Sequence, residues 1–263
     1  ALIAGELKKL DDLQEVPQCI VDGKHYFYAK GPVSWKDKTS TQRIRNPYSD
    51  YGYYFITQTG DAPTQMDSAT FVSTYYPQAE DYHSLYEKDG YSWFPGGRNL
   101  FDPTEVPLGG KQQVVITNQT GSSNGKLTVG VTMGVNGSVE VQKNGVFLGT
   151  ITLQKSVESD ASYQMAVESF ATYPLKDLSE KDTITLLPKT GGPMHLDYVA
   201  MTWEKPVPFP GFTSKVPAAQ YVYGITNQDH HADGAADMVI IIPTSQKLLK
   251  QAKRLKEFHE THD

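Results

Sequence analysis

The strongest constraint on this chain is the pair Asn144-Gly145, set between two runs of strand-forming residues. Val139-Glu140-Val141-Gln142-Lys143 leads in, and Val146 to Leu153 leads out. Apolar and polar residues that alternate put one set of side chains on each face of a strand. Asn-Gly tolerates positive φ at both central positions of a type I′ turn, whose twist matches that of paired strands. A β-hairpin is therefore expected here. A lone hairpin is marginal in water, so further strands must flank it. Val114-Val115-Ile116, Leu127 to Val131, Thr183 to Leu187 and Leu196 to Trp203 supply them. Roughly seven short strands at this spacing predict a β-sandwich over residues 108–205.

Composition agrees with a mainly β protein. Val, Ile, Thr, Tyr, Phe and Trp make 83 of the 263 residues, and these types fit a pleated, half-buried surface. The 22 Gly and 16 Pro supply turns. A chain of 263 residues can bury more than one core, so two domains and a partial third are expected. The 24 Lys+Arg against 30 Asp+Glu leave a net charge of −6, without the basic surface that nucleic-acid binding needs. No apolar run approaches the roughly 18 residues of a transmembrane helix. The single cysteine, Cys19, excludes an internal disulfide framework and a multi-cysteine metal site.

Four segments follow from the pattern. Residues 1–107 form an N-terminal β region, in which Asp22-Gly23 turns between two strands and Tyr51 to Thr57 is a further β run. Residues 108–205 are the sandwich. Residues 206–234 are a linker opening on the stiff Pro206-Val207-Pro208-Phe209-Pro210-Gly211. Residues 235–263 combine Met238-Val239-Ile240-Ile241-Ile242, read as a strand buried on both faces, with a helix from about Gln246 to His262. Leu248, Ala252, Leu255 and Phe258 or His259 would form the buried stripe of that helix, and its lysines a solvated face. A strand followed by a helix is half of a βαβ unit. The chain is therefore expected to be a fragment that ends inside a truncated α/β domain, and its start at Ala1 reads as a cut into a longer chain.

The chemistry-bearing residues are few. Asp229, His230, His231 and Asp233 are a metal-site candidate, weighed against a polar loop because adjacent histidines on an extended chain point apart. Cys19 reads as a buried small hydrophobe rather than a nucleophile. Gly96-Gly97-Arg98-Asn99 lacks the ending of a phosphate loop. Trp35, Trp93 and Trp203 are either a sugar-stacking platform or core packing. Asn118-Gln119-Thr120 and Asn136-Gly137-Ser138 match the glycosylation sequon. No Ser/His/Asp or Cys/His spacing marks a catalytic pair, so no catalytic residue and no cofactor is assigned.

Five stretches taken in order resemble the type IX secretion sortases of the gingipain (C25) family of cysteine peptidases. His25 to Trp35 is similar to the family's LFYxxGPxxW stretch, and Asn46 to Thr57 to its NxYSDxGYYFLT. Glu87 to Asn99 is similar to ExDxxNLxxSGRNW, with Leu100 in place of the final Trp. Leu196-Asp197-Tyr198-Val199 and Asn227 to Ile242 complete the series. The resemblance implies a parent that is a cell-surface cysteine endopeptidase of Bacteroidetes, with a Cys nucleophile and His base on a caspase-like α/β domain. It implies secreted cargo with a C-terminal signal domain, and other outer-membrane subunits of the secretion system, as partners. None of the family's catalytic positions maps onto this chain, and Cys19 does not match the nucleophile's motif. The alternative reading is a stand-alone β-sandwich that binds glycans or acts as an adhesin.

Overall fold

The computed structural model describes residues 14–46, 54, 62–95, 99–155, 165–213, 234–243 and 245–262. The chain divides into two units, one of Glu15–Ala218 with Ala1 and one of Leu2–Gln14 with Ala219–Asp263.

The first unit opens with β1 (Gln18–Val21) and β2 (Lys24–Phe27), paired antiparallel. Asp22 and Gly23 turn between them at φ of 51° and 72°, as the sequence predicts. A separate hairpin follows, β3 (Val33–Trp35) with β4 (Arg43–Arg45). The short β5 (Gln65–Met66) pairs parallel with β1. Helix α1 (Ser68–Tyr75) is capped by Asp67, whose carboxylate accepts from the N–H groups of Ala69 and Thr70. The expected β run at 51–57 lies outside the described residues apart from Tyr54.

Eight longer strands build a two-layered sandwich: β6 (His83–Glu87), β7 (Gln112–Thr117), β8 (Gly125–Met133), β9 (Gly137–Lys143), β10 (Val146–Leu153), β11 (Val167–Leu175), β12 (Lys181–Thr190) and β13 (Met194–Trp203). One sheet runs β10-β9-β12-β7 and the other β11-β8-β13-β6. The protein is thus mainly β, as its residue mix requires. β6 joins the second sheet although it lies well ahead of residue 108. The inner faces are apolar. Val139, Val141, Ile151, Leu153, Ile184 and Leu186 meet Leu127, Val129, Val131, Leu196, Val199 and Met201, all essentially inaccessible to solvent. Burial of this kind contributes about 25 cal/mol per Å² of apolar surface and holds the two layers together.

The Asn144-Gly145 hairpin forms as predicted, with φ of 50° and 80°. The buried Asp182 secures it from β12. Its carboxylate accepts from Asn144 Nδ2 at 2.6 Å and Ser179 N at 3.0 Å, and pairs with Lys143 Nζ at 3.3 Å. Asn144 Oδ1 in turn accepts from Thr183 N at 2.8 Å.

In the second unit, helix α2 (Leu249–His262) occupies the expected region, starting three residues later than predicted because 245–248 form turns. None of its residues is buried, and Leu255 and Phe258 of the expected stripe stay exposed. Residues 238–242 differ from expectation: they join no ladder, and Val239 and Ile241 are 74% and 90% exposed. An extended apolar run becomes a strand only where a neighbour takes up its N–H and C=O groups. Among the described residues no strand does so. No helix among them is long and apolar enough to cross a membrane.

Candidate functional site on the outer face of the second sheet

The outer face of the second sheet carries the densest set of charged and aromatic groups among the described residues. β13 creates it. Its large buried apolar residues fall at even positions, Met194 and Leu196, and then at odd ones, Val199, Met201 and Trp203. The parity changes at Asp197, because β13 has a bulge there: Leu196 pairs with Val131 and Tyr198 with Gly130. Asp197 is the extra residue and projects with Tyr198 over Gly130. A Cβ at Gly130 would lie 2.9 Å from the Tyr198 ring and 3.2 Å from Asp197 Oδ2, so only glycine fits beneath them.

The β3–β4 hairpin brings cations to this face. Arg43 Nη2 pairs with Glu87 Oε1 at 2.7 Å, and the guanidinium lies 4.6 Å from the centre of the Tyr198 ring. Arg45 Nη2 pairs with Asp89 Oδ2 at 3.1 Å. Arg43 Nη1 is buried and has no hydrogen-bond partner among the described residues. Burial pushes the Asp197 carboxyl up to about 6, opposed by Arg43 and reinforced by the negative charge of Glu87, Glu168 and Asp89. Burial, then the Asp197 charge, also raises the Tyr198 phenol.

Two histidines flank the cluster. His83 on β6 is buried and stacks flat on Trp35 of the hairpin, ring centres 4.1 Å apart. Its Nδ1 lies 2.6 Å from Ala79 O and its Nε2 lies 2.8 Å from Ser40 O. His195, 1% exposed, donates from Nδ1 to Asp102 O at 2.9 Å and stacks on Tyr91 at 3.8 Å. Its Nε2 is unpartnered among the described residues. Trp93 meets it edge-on and donates from Nε1 to Thr132 Oγ1 at 3.0 Å. Asn99 closes this end by donating to Glu168 Oε1 at 3.0 Å.

The sequence-predicted residues fare differently. Asp229, His230, His231 and Asp233 lie outside the described residues, and no group of three or more potential metal ligands occurs among those described. Cys19 is buried in β1. The three tryptophans form no platform: Trp35 and Trp203 are buried in separate settings, and Trp93 is taken up by His195 and Thr132. The Asn118 side chain is held by Ser122 and Thr120, and Asn136 Oδ1 accepts from Lys155 N. Sequence reasoning missed His83, Arg43, Asp197 and His195 as one assembly. The parity change across Asp197 and the alternation Arg43-Ile44-Arg45 were the available signals. An open groove of about 370 Å³, lined by Thr39, Lys126, Lys176, Trp203 and Glu204 among others, shares no residue with the cluster. Chemically, the cluster offers ion pairs and stacking with no nucleophile, so it holds segments together.

No family model matches the chain, and neither does any curated protein. Among solved structures, dimeric latent PorU from Porphyromonas gingivalis overlays 76% of the chain at a TM-score of 0.55 and 22% identity. The fold is PorU-like. This chain spans 20% of the PorU chain. The CBM36-1 domain of a multidomain xylanase from the hindgut metagenome of Trinervitermes trinervoides matches 45% of this chain and 95% of its own at 15% identity, with a TM-score of 0.28. CBM35 from Cellvibrio japonicus Abf62 matches 45% of this chain and 91% of its own at 14% identity, with a TM-score of 0.32. Those two scores are too low to carry weight.

Proposed function

We propose that this chain is a non-catalytic β portion of a PorU-like cysteine endopeptidase of the gingipain type. Such a parent is a sortase that removes the C-terminal signal domains of cargo delivered by type IX secretion. The observation that carries the proposal is the PorU overlay across 76% of the chain. The five resembling stretches, in the same order from His25 to Ile242, support it from the sequence side. In this reading the sandwich supports the peptidase domain at the outer surface of the cell, and its partners are secreted cargo and outer-membrane subunits of the secretion system. Cys19, buried in β1, fits a structural role rather than that of a nucleophile.

The test uses a cargo protein that carries its C-terminal signal domain. The purified chain leaves it intact, whereas the product of the full reading frame cleaves it and is stopped by thiol alkylation. Cysteine-dependent cleavage by the chain alone, abolished in Cys19→Ser, contradicts the proposal, and so does a reading frame that stops at Asp263. A glycan screen gives the binding-module alternative its own test: specific, saturable binding of a glycan by the purified chain would favour it.

A further inference from the structure

We infer that β7 is a docking edge, on which a second copy of this chain pairs antiparallel, strand to strand, about a two-fold axis at Val115. This inference stands on the first unit alone and goes beyond the proposed function.

A strand at the end of a sheet leaves one row of N–H and C=O groups for a new neighbour. The sandwich has four such strands: β10 and β7 in one sheet, β11 and β6 in the other. Three carry features that discourage pairing. β10 is broken by a bulge between Phe147 and Gly149. β11 contains Pro174 and presents Glu168. β6 ends at Glu87, which Arg43 and Arg45 engage. β7 carries none of these. It reads Gln112-Gln113-Val114-Val115-Ile116-Thr117, without charge, proline or glycine, and its ladder with β12 is unbroken. No charged residue occurs between Lys111 and Lys126, in a chain with 21% charged residues.

The free side of β7 follows from its hydrogen bonds. Thr183 on β12 spends both main-chain groups on its other neighbour. Its C=O accepts from Asn144 N at 2.8 Å, and its N–H donates to Asn144 Oδ1 at 2.8 Å. Nothing is left for Val115, which stands opposite it. In an antiparallel ladder the N–H and C=O of one residue point to the same side, and the side alternates along the strand. Val115 therefore turns both groups away from β12, and so do Gln113 and Thr117. Asn118, at the other phase, donates its N–H to Glu180 O at 2.8 Å, as this alternation requires. Among the described residues, nothing bonds the main chain of 113, 115 and 117 on the free side. The side chains of the same three residues stand on the outer face, with Val115 59% exposed.

The strand fits itself. Opposed residues of an antiparallel pair share a face, so the register must keep odd positions against odd ones. Centring on Val115 does so. Val115 then meets Val115, Gln113 meets Thr117, and Val114 meets Ile116, so the apolar inner positions continue the buried layer. Each copy donates the N–H groups of 113, 115 and 117 to the C=O groups of 117, 115 and 113 of the other. No like charges are set opposite each other along the strand. Two four-stranded sheets become one of eight, through an isologous contact that closes at the dimer.

Sedimentation of the full chain over a wide concentration range tests this, with amide hydrogen exchange at both ends of the range. A reversible dimer is expected. The amides of Gln113, Val115 and Thr117 should gain protection as concentration rises, while those of Val114 and Ile116, which bond β12, keep theirs. Val115→Lys sets two ammonium groups against each other at the axis, on an exposed position that the core does not use. It should weaken the dimer about five- to tenfold. Mixing it with Val115→Glu should restore association. A chain that stays monomeric throughout overturns the inference. So does a dimer in which those three amides stay unprotected, or one that Val115→Lys leaves as tight as wild type.

Discussion

Two hairpins in this molecule are held by opposite means. β9–β10 has long strands, a two-residue turn and an apolar face of Val139, Val141, Ile151 and Leu153 sunk in the sandwich core. β3–β4 has three-residue strands and a longer connection, and its Ile44 points to solvent at 49% exposure. It is fixed by Trp35 on His83 and by Arg43 and Arg45 on carboxylates. The strands of the first hairpin are secured by apolar burial, which involves no titrating or paired charge, with Asp182 holding only the turn. The second is secured by ion pairs and stacking, which ionic strength screens. The same fold therefore has a rigid layer and a conditional attachment.

The largest blow to the first hairpin is Ile151→Ala, which leaves a cavity in a fully packed core. It is expected to lower stability by about 2–5 kcal/mol in urea unfolding, by the same amount at pH 5.5 and pH 8. A loss that varied with pH would blur the contrast. Asp182→Ala strips the turn of its buried acceptor, leaves Asn144 Nδ2 and Ser179 N unmet, and leaves Lys143 with only the Asp177 carbonyl. About 1–3 kcal/mol should be lost, again in the β9–β10 region by hydrogen exchange.

Asp197→Asn sharpens the contrast from the other side. The carboxyl is raised from 3.8 to about 6 in the fold. A raised value means that stability is full below the unfolded value and lost as pH rises through the folded one. Above pH 6 the wild type carries that penalty and the amide does not. The variant should therefore be more stable by about 1–2 kcal/mol at pH 8 and indistinguishable near pH 3, as read by unfolding midpoints. Arg43→Met removes the one group that pulls the Asp197 carboxyl down. It should raise that value further, measurable by carbon NMR of the carboxyl, and cost about 1 kcal/mol. Ile44→Ser, on the solvent side, should change stability by less than about 0.5 kcal/mol at any pH.

The sequence made the apolar hairpin legible because its signals are local. Period-two alternation around Asn144-Gly145 states both the strands and the turn. β7, β8, β12 and β13 were legible for the same reason. β6 and β11 were not, since His83 to Glu87 and Val167 to Leu175 place polar residues on an outer face that another segment covers or solvent meets. The attachment of the β3–β4 hairpin was illegible because it joins residues far apart in the chain: Ser40 and Trp35 with His83, Arg43 with Glu87, and Arg45 with Asp89. Pairings of that kind leave no periodic trace. The apolar run at 238–242 shows the converse. Its composition speaks for a strand, but pairing needs a neighbour that no described residue provides.

The contrast rests most directly on how each hairpin responds to salt. Amide hydrogen exchange of the chain at low and at high ionic strength compares residues 33–45 with β9 and β10. Protection that falls with salt across 33–45, while β9 and β10 keep theirs, is the expected result. A hairpin at 33–45 as indifferent to salt as β9–β10 would contradict the account.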